Sequence, residues 1–239
     1  MMRQDFSQRS TQPELMDTTN TTYAEFHDSL CSLATINVLT MAYRPTLRWL
    51  RHALKGIKPQ QPIVIFDIGC GGGDMVRQIW KWAIGKTHAI EFVGIDLNPW
   101  SKQSAEQMTP KAAPIRYETA NLFMLDSDRH AEFIISSLFT HHLSDGELIR
   151  FIQWMDQHAV HGWFINDLHR HPLPYYFIKC AVGLLFSNRL IQHDAPVSVA
   201  RAFTRSEWKH ILTEAGIPIA RTTIVWHFPF RYGVACRKA

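Results

Sequence analysis

The chain has 239 residues, enough for one large domain or for a domain with a small addition. Hydrophobic residues make up 46% and charged residues 19%, a balance that excludes a disordered chain. The four cysteines are far apart and include no CxxC pair, which excludes a zinc ribbon and a disulfide scaffold and favours a reducing cytoplasm. The net charge of +4 is modest, and because we find no clustered basic stripe we expect no nucleic-acid partner.

The N-terminal part of the sequence is polar and then helical. Residues 1–20 lack the apolar stretch of a signal peptide, and we expect a loosely held lead-in there. Residues 21–54 have a helical pattern that Pro45 divides in two, because a helix ends before proline or begins with it. We therefore expect a helical cap over residues 1–60. No apolar run is long enough for a membrane span, so we predict a cytoplasmic protein.

The remainder alternates between short apolar runs and amphipathic segments. Capping boxes at Ser144–Glu147 and Thr204–Glu207 mark two helix starts, and residues 219–227 and 231–237 look like an antiparallel hairpin. Such alternation predicts an α/β fold, a Rossmann-like doubly wound seven-stranded sheet with a reversed C-terminal hairpin. This domain is expected over 61–239, with an apolar insert at about 172–200. The parallel strands are predicted at residues 62–68, 91–96, 115–120, 133–137 and 163–167.

A glycine-rich turn, residues 69–73, joins the first strand to a helix. Such a turn presents backbone N–H groups and the positive end of a helix dipole to a ligand, and Asp96, which closes the second strand, is placed to bind a ribose. The dinucleotide pattern G-x-G-x-x-G would need glycine where Asp74 stands, which disfavours NAD. A second carboxylate, Asp67, precedes the turn. Carboxylates here suit a ligand that carries an ammonium and a sulfonium group.

These segments resemble the motifs of class I S-adenosylmethionine-dependent methyltransferases. Residues 66–73 (FDIGCGGG) resemble the first motif, and residues 94–98 (GIDLN) resemble the second, ribose-binding motif. Residues 137–143 (SLFTHHL) resemble the segment after strand four in the small-molecule enzymes of this class, and the terminal hairpin matches as well. Asn121 stands where the family usually has an aspartate that contacts adenine, but its amide oxygen can accept the same hydrogen bond.

The resemblance implies S-adenosylmethionine as cofactor and S-adenosylhomocysteine as product. It also implies that Arg44, from the N-terminal helices, meets the methionine carboxylate, and that the insert lines a substrate cavity. The cofactor-binding residues expected besides Arg44 are Asp67, Gly69, Cys70, Gly71, Asp96, Leu97, Ala120, Asn121, Leu122 and Leu138. The substrate-binding residues expected are Tyr43, Tyr175, Tyr176 and Trp226.

Two histidines are candidates for a general base. His142 follows strand four and His169 follows strand five, at the edge of the sheet where ligands bind in this architecture. For each histidine the alternative is a structural role, and Asp167 either orients His169 or is a structural acid. The histidine pairs 141–142 and 169–171 lack the i, i+4 spacing of helical metal ligands, so we expect no metal.

We therefore expect an enzyme that methylates a small, mostly apolar acceptor, phenolic or polyketide-like, with oxygen as the favoured atom. Two alternatives stay open at this point. One is C-methylation of a quinone-type precursor, and the other is a partner protein that binds S-adenosylmethionine without catalysis. An oxidoreductase is disfavoured by Asp74 and by the terminal hairpin. The residues leave the identity of the acceptor and the oligomeric state open.

Overall fold

The structure is a computed structural model that describes residues 4–18, 21–55, 57, 62–85, 89–126 and 128–238. A seven-stranded sheet has the order β3-β2-β1-β4-β5-β7-β6; β1 to β5 are parallel, and β7 is antiparallel to both of its neighbours. This confirms the predicted Rossmann-like sheet with its reversed hairpin. The strands are β1 Ile63–Ile68, β2 Ile90–Asp96, β3 Ile115–Thr119, β4 Ala131–Ser137, β5 Ala159–Leu168, β6 Thr222–His227 and β7 Arg231–Arg237.

Helices cover both faces of the sheet and bury two apolar clusters. Both capping boxes are present, at Ser144 and Thr204, and Pro45 lies in the first turn of α2 as predicted. Within the described part of the chain, no helix is long and apolar enough to cross a membrane. The helices are α1 Tyr23–Leu39, α2 Arg44–Ala53, α3 Asp74–Ala83, α4 Pro99–Met108, α5 Asp145–His158, α6 Pro172–Leu185, α7 Arg189–Arg201 and α8 Arg205–Glu214.

Two predicted strand boundaries differ from those that strand pairing sets in the structure. The apolar pattern placed the start of β5 at residue 163, but the strand begins at Ala159, where it already pairs with Ala131 of β4. Its first residues are held by this ladder, which an apolar pattern does not reveal. The segment predicted as a strand from residue 219 begins as a 3₁₀ turn at Ile219–Arg221, and β6 starts only at Thr222.

The expectation of a loose N-terminal lead-in is wrong for residues 4–18. The backbone N–H groups of Leu15 and Met16 donate hydrogen bonds to the buried carboxylate of Asp194 on α7, at 2.7 and 3.0 Å. Arg9 Nε donates to the carbonyl oxygen of Arg201 at 2.8 Å. These hydrogen bonds hold residues 4–18 against α7, because the buried carboxylate of Asp194 needs donors and the backbone N–H groups supply them.

Candidate functional site

A cavity of about 1540 Å³ lies beyond the carboxyl ends of β1, β2 and β4, under α1, α6 and α7. A doubly wound sheet binds its ligands at this edge, where the strand order reverses. Pockets for one small ligand usually measure roughly 300–1,000 Å³. The cavity therefore has room for a cofactor and an acceptor side by side.

The glycine turn forms one wall of this cavity. Gly69 and Gly73 have φ angles of +69° and +72°, a conformation that side chains other than glycine rarely adopt. A Cβ atom on Gly69 would lie 2.3 Å from the Phe139 ring, and one on Gly73 would lie 2.3 Å from the Tyr117 hydroxyl. Glycine is therefore required at both positions, and the turn keeps its backbone close to the space above β1.

Three aspartates lie around the turn at this end of the cavity, Asp67, Asp74 and Asp96. Asp67 is 1% exposed, and its Oδ1 atom has no hydrogen-bond partner among the described residues. Burial, followed by the charges of Asp74 and Asp96, raises the pKa of Asp67 well above its usual value. A buried, unpaired carboxylate oxygen needs a donor, and a cationic group with N–H bonds satisfies it. An amino acid ammonium group has this chemistry.

Asp96 supports the turn and borders the cavity. Its Oδ2 atom accepts a hydrogen bond from Gly71 N, and its Oδ1 atom accepts one from Asn98 N, both at 2.9 Å. Burial raises the pKa of Asp96, although these backbone hydrogen bonds act in the opposite direction. Each carboxylate oxygen has a second lone pair, so a ribose hydroxyl can still be bound.

The predicted cofactor residues, apart from Arg44, all line the cavity. Asn121 Oδ1 accepts a hydrogen bond from Phe123 N at 3.0 Å, so the oxygen expected to meet adenine also caps a short 3₁₀ turn. Leu138 adopts a φ of +57° directly after β4. The lining members of the predicted set are Asp67, Gly69, Cys70, Gly71, Asp96, Leu97, Ala120, Asn121, Leu122 and Leu138.

Arg44 does not line the cavity, so its predicted role stays a prediction that this position does not support. Its side chain is exposed at the start of α2. Arg231, which the sequence analysis did not select, is 3% exposed at the first position of β7 and lines the cavity. Its Nη2 donates to Thr40 Oγ1 at 3.0 Å, whereas Nε and Nη1 have no partner among the described residues. Burial lowers the pKa of Arg231 to about 10, although the charge of Asp167 acts in the opposite direction, so Arg231 remains a cation at neutral pH. Among the described residues, no carboxylate forms a hydrogen bond with it.

A buried histidine–aspartate pair joins the ends of β4 and β5. His141 is 2% exposed, and its Nδ1 lies 2.8 Å from Oδ1 of Asp167. Burial alone would raise the pKa of Asp167, but the interaction with His141 and further hydrogen bonds lower it to about 2. The carboxylate therefore holds the proton on Nδ1 and leaves Nε2 as the basic nitrogen. Nε2 lies 3.6 Å from Glu14 Oε1, beyond a hydrogen bond.

His142 lines the cavity too, but carboxylates surround it. Its Nδ1 lies 2.9 Å from Oδ2 of Asp17, and its Nε2 lies 3.7 Å from Oε2 of Glu14. Burial would lower the pKa of His142, but the hydrogen bond to Asp17 and the charges of Glu14 and Asp17 raise it to about 9. A histidine that is already protonated at neutral pH is a poor general base. The charge of His142 instead balances the two carboxylates.

The other predicted contact residues lie elsewhere. Tyr43 lines the cavity, where its hydroxyl donates to Asp74 Oδ2 at 2.7 Å, next to the glycine turn. His169, Tyr175, Tyr176 and Trp226 do not line it. Burial lowers the pKa of His169 to about 4, and its Nδ1 accepts a hydrogen bond from Trp226 Nε1 at 3.3 Å. Tyr175 instead packs edge-on against Phe6, with ring centroids 5.2 Å apart.

The insert still contributes to the cavity through neighbouring residues of α6. The far wall combines this helix with the β6–β7 turn and is almost entirely apolar. Periodicity identified the helix, but its orientation depends on packing against α7, and this orientation turns side chains other than the predicted tyrosines towards the cavity. The apolar lining residues are Leu173, Pro174, Phe177, Ile178, Phe228 and Phe230.

Glu14, His141 and His142 offer ligand atoms within 4.8 Å of one another, close enough for a metal ion. No sequence motif reveals this group, because Glu14 is far away in the chain and adjacent histidines do not share a helix face. The turn Thr140–His142 is 3₁₀, and it brings the two imidazole rings to 4.5 Å. The absence of a metal therefore stays a prediction.

Comparisons with known proteins agree with this geometry. Residues 65–162 match the family model for a methyltransferase domain, and no curated protein sequence matches the chain. Magnesium protoporphyrin IX methyltransferase from Synechocystis PCC 6803 with bound S-adenosylhomocysteine is 16% identical, with a TM-score of 0.53 over 90% of this chain and 84% of that one. The plantazolicin methyltransferase BpumL, in complex with a monoazolic desmethylPZN analog and S-adenosylhomocysteine, is 14% identical, with a TM-score of 0.64 over 89% of this chain and 90% of that one.

Human N-acetylserotonin methyltransferase in complex with S-adenosylmethionine is 13% identical, with a TM-score of 0.64 over 91% of this chain and 57% of that one. At sequence identities this low, similarity to the solved structures shows only the fold of this chain. The match to the family model shows that residues 65–162 are a methyltransferase domain. The strand order and the reversed hairpin are those of class I methyltransferases. Residues 65–162 therefore carry a methyltransferase domain, the sheet has the class I methyltransferase topology, and the protein is a methyltransferase.

Proposed function

We propose that the enzyme methylates a hydroxyl oxygen of a small, mostly apolar acceptor of phenolic or polyketide-like chemistry. One observation carries the proposal. The cavity runs from the carboxylates at the glycine turn, past the buried pair of His141 and Asp167, to the apolar wall of α6 and the β6–β7 turn. An apolar acceptor held by that wall would place its hydroxyl group next to the imidazole.

The chain's own residues suit the bound cofactor. When bound, S-adenosylmethionine supplies an electrophilic methyl group on a positively charged sulfur. Asp67 would bind the ammonium group of its methionine part, Asp96 would bind the ribose, and Arg231 would bind the carboxylate. Arg231 takes the role that the resemblance gave to Arg44, because its free N–H groups lie within the cavity. A cofactor held at both ends is aligned for an in-line transfer.

His141 is the proposed general base, in place of His142 and His169. Its Nε2 would remove the acceptor's hydroxyl proton, and the Asp167 carboxylate would stabilise the imidazolium that forms. The oxygen can then form its bond to the methyl carbon, while the carbon–sulfur bond breaks and its electron pair stays on sulfur. The imidazolium later returns its proton to solvent.

A labelling experiment tests this function. The purified enzyme is incubated with methyl-labelled S-adenosylmethionine and an organic extract of its source cells, and labelled products are identified by mass spectrometry and NMR. We expect an apolar product with the label in a methyl ether. A label on carbon would favour C-methylation of a quinone-type precursor. The absence of any labelled product from an enzyme that binds S-adenosylhomocysteine would favour the non-catalytic partner. The cytoplasmic location also remains a prediction.

A further inference from the structure

The mouth of the cavity is bordered by large apolar side chains that face solvent. Leu173 and Phe177 of α6 and Phe228 of the β6–β7 turn line the cavity, yet they are 64%, 69% and 68% exposed. Residues that line the cavity and are also exposed to solvent lie at its opening. Exposed apolar patches of this kind on a folded domain indicate an interaction surface.

The exposed apolar surface continues away from the opening. Leu184 follows Phe177 by seven residues, on the same side of α6, and is 85% exposed. The end of α1 adjoins the start of β7, because Thr40 accepts the hydrogen bond from Arg231. We call the whole surface the mouth face, and it consists of the exposed residues Val38, Leu39, Leu173, Phe177, Leu184, Leu185, Trp226 and Phe228.

The segments that contribute the mouth face contain no acidic residue. Residues 29–66, 171–193 and 215–239 hold eleven of the 25 lysines and arginines and none of the 21 acids. The remainder of the chain holds fourteen bases and all 21 acids. Charge is therefore strongly divided between the segments that contribute the mouth face and the rest of the protein.

Several of these bases are exposed beside the mouth face. Arg44, Arg48 and Arg51 recur at i, i+4 and i+7 on the solvent side of α2 and form a basic stripe, contrary to the expectation that the chain has none. Arg48 lies close to the hairpin turn, since burial and then the charge of Arg48 lower the pKa of His227. Lys179 is the single charged residue of α6 and is exposed.

We propose that the mouth face docks the enzyme onto an anionic lipid bilayer, from which an apolar acceptor enters the cavity. Exposed leucine and aromatic side chains next to arginines are the combination that holds a protein at a lipid surface. A second copy of this chain suits the face less well, because a two-fold contact would oppose the same arginines. The route of the acceptor rests on the proposed function, whereas docking itself does not.

Vesicle sedimentation tests the docking with the full chain, without cofactor or acceptor. We expect binding to vesicles of phosphatidylcholine with phosphatidylglycerol, weaker binding to phosphatidylcholine alone, and a loss of binding as salt screens the charges. The double variant Leu184→Ser/Leu185→Ser changes side chains outside the cavity and should lower the partition coefficient at least tenfold. Arg48→Glu should lower it about tenfold or more, since each basic side chain contributes about fivefold.

Matched controls are Ile84→Ser, an exposed apolar residue after α3, and Lys111→Glu, an exposed base before β3. Both should bind vesicles like the wild type. The proposal is overturned if the wild type does not bind anionic vesicles. It is equally overturned if the control substitutions weaken vesicle binding as much as the mouth-face substitutions. It is also overturned if sedimentation velocity shows a dimer that Leu184→Ser/Leu185→Ser dissociates. Because no turnover is measured, failure here leaves the labelling experiment unaffected.

Discussion

His141 Nδ1 lies 2.8 Å from Asp167 Oδ1 in the buried layer between the ends of β4 and β5. The pair fixes the tautomer of the imidazole and leaves Nε2 as the basic nitrogen beside the cavity. Asp167 also accepts hydrogen bonds from Thr140 Oγ1 and from the backbone N–H of His141. A side chain held in this way needs little reorganisation when it accepts a proton.

Replacing His141 should therefore abolish most turnover. We expect His141→Gln to lower kcat about 10²–10⁴-fold, the range for the loss of a general base, with an unchanged dissociation constant for S-adenosylhomocysteine. His169→Gln is the control, because this histidine lies outside the cavity. Asp167→Asn should shift the pH profile of kcat, a change that a purely structural role would not produce. Near-wild-type turnover of His141→Gln would exclude this base.

Asp96 should determine cofactor affinity. A carboxylate that accepts a ribose hydroxyl contributes roughly 1.5–3 kcal/mol per hydrogen bond, so Asp96→Ala should weaken S-adenosylhomocysteine binding at least tenfold in calorimetric titration. Glu91→Ala, on the exposed part of the same strand, should bind like the wild type. NAD should bind to neither. Unchanged affinity in a folded Asp96→Ala variant would show that the ribose is held elsewhere.

Arg231 and Arg44 can be compared directly. We expect Arg231→Met to weaken binding of S-adenosylhomocysteine tenfold or more, because a charged hydrogen-bond donor to the carboxylate is lost. Arg44→Met should have no effect on it. Binding of 5′-methylthioadenosine, which lacks the carboxylate, should be equal in both variants and in the wild type. A loss of 5′-methylthioadenosine affinity in Arg231→Met would instead indicate general damage to the cavity, which thermal unfolding would confirm.

The contacts of His142 predict a pH dependence of stability. The pKa of His142 in the folded protein is about 9, above the ordinary value of 6.5. The stabilisation of the folded state by protonated His142 is therefore complete below pH 6.5 and is lost as the pH rises through 9. The loss should be on the order of 2–3 kcal/mol in the free energy of unfolding, as measured with urea. In the variant His142→Gln, the free energy of unfolding should change less with pH between pH 6.5 and 9. A flat wild-type profile between pH 6.5 and 9 would contradict the raised pKa.

Removing metal ions should leave activity unchanged. The protonated Nε2 of His142 cannot act as a ligand, and Glu14 Oε1 already accepts a hydrogen bond from Ser198 Oγ at 2.9 Å. We expect enzyme dialysed against a chelator to keep its kcat and to contain no stoichiometric metal by elemental analysis. Inactivation by the chelator and recovery on adding one divalent cation would assign Glu14, His141 and His142 to a metal centre.

The sequence by itself determined the sheet and the cofactor end of the cavity. Apolar runs that alternate with amphipathic helices predicted five parallel strands and a reversed hairpin, because burial on both faces imposes that pattern. The glycine turn and Asp96 follow directly from strand ends, and residues adjacent to strand ends meet at one edge of a parallel sheet. All predicted cofactor residues attached to strand ends in this way line the cavity.

Only the tertiary structure distinguishes His141 from His142 and brings Arg231 to the cavity. His141 and His142 are neighbours in the chain, and only the position of Asp167 on β5 and of Glu14 and Asp17 in the N-terminal segment gives them different hydrogen-bond partners. Arg231 lines the cavity because antiparallel pairing places the start of β7 beside the end of β5, opposite Leu168. Charge contacts and strand register join residues that are distant in sequence, so local patterns do not contain them.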